Sequence, residues 1–506
     1  MSSLNKAWWA RNSRRFHLSL SWLGGIALLV WGLSGITHPI MGLTGPEAAK
    51  FFPPKLSANL DQMRSPAEIL EQAGITQARI VKVVPSFDGP VLQVTAGDDK
   101  ARRYFDLRDG RELEDHDKAH AIWLARYYTG LEKEAVTSVR LQDRFDTDYP
   151  WVNRLLPVWR IDFDSSDARR AYIYTELNAL AAQHDTMRNR WQAIFQALHT
   201  WTWLDGFENA RVIVIGLLML SLLGMSFTGI AMIFTFKRRK IADRDRRWHR
   251  RIAYFIWLPI LLLSASGFYH LLQYRFVENT RGLQIGPSMV LEGPLDKLDA
   301  GWRAAAKNGE ANALSLISGP SGFLYRAELP ATDLAKPSRE ERHRGKPTRG
   351  DLVYFDAVTG QRLDNYDRTM ARALALRFAG KENTILDVTP VTRFGMNYDF
   401  RNKRLPVWQV SLDDSDKRVL FVDTGAGVLV DQSNRLERLE GLSFSLLHKW
   451  NFLRPFGSTV MSWTVITVVS LACIFALFGF SMALRNRGRQ RARRHQQPVP
   501  APVETP

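Results

Sequence analysis

Six of the eleven histidines stand at three matched pairs of positions, and their surroundings match as well. His17 and His38 bracket an apolar run in the pattern Arg-Arg-aromatic-His … Ser-Gly-x-x-His, and His249 and His270 bracket another in the same pattern. His199 and His448 precede two further apolar runs in Leu-His-x-Trp contexts. Neutral imidazole is the commonest metal ligand among side chains. Recurrence at both ends of apolar runs therefore points to metal or haem ligation and to electron transfer across a membrane. Both His17–His38 and His249–His270 are separated by 21 residues, about 30 Å on a helix and nearly one face of it. Two such helices related by a twofold axis can clamp a haem near one surface with His17 and His249. They present a second set outside, made of His38, His270, His199 and His448. Two pairings are open there: His38 with His270 and His199 with His448, or His38 with His199 and His270 with His448. Two histidines per iron close both axial positions, which suits electron transfer and not oxygen chemistry. No Cys-x-x-Cys-His occurs, and the only cysteine, Cys473, lies inside an apolar run. Any haem is then held without covalent attachment, with two or more expected. His116, His120, His184, His343 and His495 do not recur and are expected to have surface roles.

The elements that must position these residues are four membrane spans, 18–41, 212–236, 252–272 and 457–484, each long enough to cross the hydrocarbon core as a helix. The net charge is +17, of which the segment 1–17, the loop 237–251 and the tail 485–506 carry +16. The connections 42–211 and 273–456 are nearly neutral. This asymmetry is the positive-inside pattern, with both termini and the short loop cytoplasmic and the two long connections outside, periplasmic in a two-membraned bacterium. It assigns the excess charge to topology and anionic lipid rather than to nucleic acid.

The two halves align throughout. Tyr104-Phe105-Asp106 matches Tyr354-Phe355-Asp356, Asp117 matches Asp367, and Leu156-Pro157-Val158-Trp159 matches Leu405-Pro406-Val407-Trp408. A Pro- and charge-rich insertion over 330–350 accounts for the change of offset. The pattern predicts two tandem repeats of span, outside α+β domain and span, related by an axis along the membrane normal. Within the domains, Ser65-Pro66-Ala67-Glu68 opens a short helix. Apolar-faced helices are expected over 118–128 and 368–378, and hairpins over 158–175 and 407–423. The small residues Gly24, Gly25, Gly32 and Gly35 suit helix packing more than porphyrin accommodation. The Asp-rich turns 162–167 and 413–416 read as solvated hairpin turns.

The duplicated unit, with its entrance histidine and its Leu-His-x-Trp before the returning helix, resembles the PepSY-associated transmembrane proteins over nearly the whole chain. Ser21 and Ala253 stand where that family usually has a glycine four residues after the entrance histidine. The resemblance implies two periplasmic PepSY-like domains in an inner-membrane protein. It also implies b-type haem on the six histidines, and a role like that of the ferric-siderophore reductases. Such a protein takes electrons from a cytoplasmic or membrane donor and passes them to a periplasmic ferric-siderophore or other acceptor. A non-redox sensor or binding protein acting through its outside domains is the alternative. A carrier is disfavoured by spans that hold almost no ionisable residue besides the histidines. No phosphate loop, dinucleotide glycine motif or nucleophile–base pair is present, so nicotinamide or flavin binding has no support in the sequence.

Overall fold

The computed structural model describes residues 3–50, 52–54, 60–96, 101–235, 241–291, 295–307, 313–329 and 352–495. The expected insertion at 330–350 and His343 lie outside the described residues. Four helices are long and apolar enough to cross a membrane, within Asn12–Thr44, Thr186–Thr235, Arg244–Phe276 and Ser458–Gly488. The chain divides into two units.

The first unit comprises Met1–Thr44, Arg190–Glu278 and Glu440–Pro506. Its long helices are Ser3–Thr44, Glu208–Thr235, Arg244–Phe276 and Ser458–His495, called here the first to fourth long helices. The first and the third each pack on both the second and the fourth. Ala27, Leu222, Ile256, Ile260, Ala472 and Ala476 form the shared core. Small residues set the approach. A Cβ on Gly24 would stand 3.1 Å from the Ser221 carbonyl oxygen, one on Gly25 2.9 Å from the Phe480 ring, and one on Gly32 2.7 Å from Cys473 Sγ. These three glycines serve helix packing, as expected, and Cys473 is a buried packing residue.

The second unit comprises Gly45–Asn189 and Asn279–Leu439. A four-stranded antiparallel sheet, Val136–Gln142, Val158–Phe163, Arg170–Tyr174 and Ala179–His184, packs on the helix His116–Thr129. A similar sheet of Ile385–Val391, Val407–Leu412, Val419–Asp423 and Val428–Ser433, extended by Gln284–Ile285, packs on the helix Asp367–Ala379. The recurring Tyr, Asp and Trp of the sequence hold these elements. Tyr104 and Trp159 both donate to Asp117, at 2.8 and 2.7 Å, and Tyr354 and Trp408 both donate to Asp367, at 2.5 and 2.6 Å. The aspartates of the hairpin turns are also engaged internally, Asp167 by Arg169 and Asp414 by Arg418, each at 2.5 Å.

The sequence suggests two separate domains, but the two connections share a sheet. Its order runs Arg362–Leu363, Leu352–Asp356, Phe323–Glu328, Ala313–Ser318, Ile80–Ser86, Gly89–Thr95, Arg103–Asp106. The join is antiparallel, with Leu314 opposite Val83 and Leu316 opposite Val81. Pairing Ile80–Ser86 with Ala313–Ser318 removes two open edges, which is why an isolated half would be the less stable arrangement. The short helices Pro66–Gln72 and Asp299–Ala306 cover the sheet, with Trp302, Ile69, Leu70, Leu92 and Phe105 fully buried between the layers. Ser65 caps the first of these helices by accepting from the Glu68 amide at 3.1 Å. Glu68 turns to Arg64 instead of closing the capping box.

Candidate metal-ligand histidines

Each long helix of the first unit carries either a histidine or the surface that orients one. His17 on the first helix and His249 on the third face each other, with ring centres 6.5 Å apart and planes at 70°. His17 Nδ1 donates to the Met225 carbonyl at 3.0 Å, with Thr228 Oγ1 at 3.3 Å. His249 Nδ1 donates to the Phe475 carbonyl at 3.3 Å, and its ring stacks on Phe475 at 4.0 Å. A carbonyl can only accept, so the proton of each ring is on Nδ1 and the lone pair on Nε2. Glycines on neighbouring helices make room. A Cβ on Gly229 would stand 3.3 Å from His17 Cε1, and one on Gly479 would stand 3.6 Å from His249 Cε1.

The second pair repeats this arrangement. His199 and His448 have ring centres 6.3 Å apart and planes at 71°. They lie in π-helical turns, Gln196–Thr200 and Phe444–His448, an uncommon conformation found disproportionately at functional sites. Each Leu-His-x-Trp ends on a tryptophan at φ 55°, Trp201 and Trp450, the left-handed region that a bulky residue seldom adopts. Their indoles reach back to the Leu198 and Leu447 carbonyls at 2.8 and 3.1 Å, which offsets part of that strain. Ser34 gives its proton to the Val30 carbonyl at 2.7 Å, so its oxygen receives His199 Nδ1–H at 3.1 Å. His448 Nδ1 donates to the Leu263 carbonyl at 3.2 Å, with Ser266 Oγ at 3.3 Å. Gly35 and Gly267 lie behind these rings: a Cβ on them would stand 3.5 Å from His199 Cε1 and 3.4 Å from His448 Cε1.

His38 and His270 flank the second pair through two phenylalanines. Phe195 stacks on His199 at 4.6 Å and lies 5.9 Å from His38. Phe444 stacks on His448 at 4.6 Å and on His270 at 4.4 Å. His270 Nδ1 is also 2.5 Å from Glu440 Oε1. Of the two outer pairings left open by the sequence, the structure brings His199 to His448.

An imidazole nitrogen binds a transition metal at about 2.0–2.1 Å, and the ring centre lies about 1.1 Å behind it, so two imidazoles across one metal have centres roughly 6.3 Å apart. The observed 6.5 and 6.3 Å agree with that separation. Among the described residues none of the four Nε2 atoms has a hydrogen-bond partner, and every Nδ1 is committed to a neighbouring helix. This is the orientation that second-shell hydrogen bonds impose on metal-binding histidines. The donor sets therefore fit axial ligation of haem iron. Among the described residues no group of three or more His, Cys, Asp or Glu converges as a metal site.

Three histidines expected at the surface are buried in the second unit. His120 is 0% exposed, His116 8% and His184 1%. His120 Nε2 bonds Asn178 Oδ1 at 2.8 Å, and Ser86 Oγ lies 2.9 Å from both His120 Nδ1 and His116 Nε2. Burial pushes the His120 pKa down to about 4 and that of His184 to about 3. The available signal was the four-residue spacing of His116 and His120 in line with Leu124 and Tyr128, which puts both on the buried face of the helix. No family model matches the chain, and no curated protein matches it.

Proposed function

We propose that the chain is an inner-membrane b-type haem protein that carries electrons from the cytoplasmic side to a periplasmic acceptor, in the manner of a ferric-chelate or siderophore reductase. Four membrane-crossing helices in two tandem repeats, with both termini inside, are part of this reading. One observation carries it: two histidine pairs, each at the spacing of a shared metal, each with Nδ1 held and Nε2 open. The positive-inside charge pattern supports the orientation. The resemblance to the PepSY-associated proteins supports the acceptor class.

His17 and His249 would hold the inner iron, and His199 and His448 the outer. Haem, when bound, supplies a one-electron couple at each position. The protein's residues define the rest. Nδ1–H donation to Met225, Phe475, Ser34 and Leu263 fixes the tautomer and raises the basicity of Nε2, which favours the oxidised metal. Two histidine ligands to one iron would leave no position for oxygen. The first helix spaces the sites, since His17 and Gly35 are about 27 Å apart along its axis. His270 and Glu440, 2.5 Å apart, lie beside the outer pair.

Protein purified in mild detergent should show a sharp Soret band and the reduced α-band of low-spin bis-histidine haem. A colourless protein that neither binds nor retains added haem would favour the sensor reading instead.

A further inference from the structure

The second unit holds a cleft of about 510 Å³, within the range of small-molecule sites. Its floor is apolar, from Phe145, Leu156, Leu283 and Ile285, and its charged lining residues are Arg154 and Arg281. Trp151 stands beside them, 45% exposed. Among the described residues no carboxylate lines the cleft.

Arg154 is the informative residue. It follows the 3-10 turn Trp151–Asn153 at φ 66°, a left-handed backbone that costs an arginine free energy and turns its side chain back over Trp151. Its guanidinium carbon lies 4.3 Å from the indole centre. The side chain is only 4% exposed. Its Nε and Nη1 nevertheless have no hydrogen-bond partner. The nearest carboxylate oxygen, Asp431 Oδ1, is 3.5 Å from Nη1 and already accepts from the Gly282 and Gln432 amides at 3.0 and 3.1 Å. The other oxygen of Asp431 accepts from Asn402 at 3.1 Å. Arg401 and Arg281 add positive potential at Arg154, which Asp431 and Asp399 oppose. A buried guanidinium with open donors is costly unless something completes it. Nε and Nη1 are closed to solvent, so an anion in the cleft would meet the guanidinium at Nη2.

We propose that this cleft binds a small amphipathic anion, a flat aromatic or similarly apolar body bearing a carboxylate. The apolar body would lie on the floor against Trp151, and the carboxylate would receive Arg154 with Arg281. The site is independent of the haem reading and rests on none of its residues.

The test is calorimetric titration of the full-length purified protein with 2-naphthoate, against 2-naphthamide as its uncharged counterpart. Saturable naphthoate binding is expected, about tenfold or more tighter than the amide, a difference suited to a charge-assisted contact. Trp151→Ala and Arg281→Gln should each weaken naphthoate about fivefold or more without lowering the unfolding temperature. Arg154→Lys should lose most of the carboxylate preference; should that variant fail to fold, the other two decide the matter. Absent saturable binding, equal affinity for amide and acid, or unchanged affinity in both Trp151→Ala and Arg281→Gln would overturn the proposal.

Discussion

Ser34 and His199, 165 residues apart, form a directed hydrogen bond in which the serine proton is already spent on the Val30 carbonyl. The serine oxygen can then only accept, and the imidazole presents an open Nε2. Ser34→Ala should weaken haem affinity at the outer pair about tenfold and leave the inner pair unchanged, as loss of a second-shell partner typically does. Haem titration of apoprotein, resolved by redox potential, measures both.

Glycines behind the rings give a steric test. Gly229→Val should displace His17 and remove the inner haem, because a Cβ there would stand 3.3 Å from the ring before the two methyl groups are added. Gly42→Val, at a position with nothing within 4 Å, should leave the spectrum intact. Equal spectra for the two variants would contradict the placement of His17.

The six histidines and the charge asymmetry were legible because each leaves a local trace, a recurring motif or a count of arginines. The glycines Gly229 and Gly479 were not, since a glycine on one helix says nothing of which ring on another rests against it. Nor was the outer pairing, because His38 and His199 are equally close to the same surface in sequence terms. The shared sheet depends on Leu314 meeting Val83, a pairing across 231 residues that strand patterning cannot specify. His116 and His120 were misread because non-recurrence was taken as exposure, although both lie at four-residue spacing on the buried face of Leu124 and Tyr128.

The second unit should lose stability on acidification. Buried His120 and His184 are neutral in the fold, with pKa values pushed to about 4 and about 3, whereas a free imidazole titrates near 6.5. Their contribution is therefore complete above about pH 6.5 and lost progressively as pH falls toward 4. Thermal unfolding between pH 7.5 and 4.5 should show a steady fall in midpoint, and His120→Gln should flatten it. A midpoint independent of pH in the native protein would contradict the burial argument.

Glu176 lies fully buried between Lys82 and Arg404, at 2.6 and 2.5 Å, and these cations hold its carboxyl well below the usual range. Glu176→Gln strands buried Lys82 and leaves Arg404 with Asp423, 2.8 Å away, as its remaining carboxylate, and should destabilise the unit by about 3 kcal/mol. Denaturant unfolding of the variant measures this, and a loss under about 1 kcal/mol would mean the cations find other partners.

The central claim is that two histidine pairs hold two haems. The most direct measurement is the redox-resolved absorption spectrum of the purified protein and four single variants. Two low-spin components are expected in the native protein. His17→Ala and His249→Ala should lose the same one, and His199→Ala and His448→Ala should lose the other. A native protein without a Soret band, or a haem spectrum unchanged when all four histidines are replaced, would contradict it.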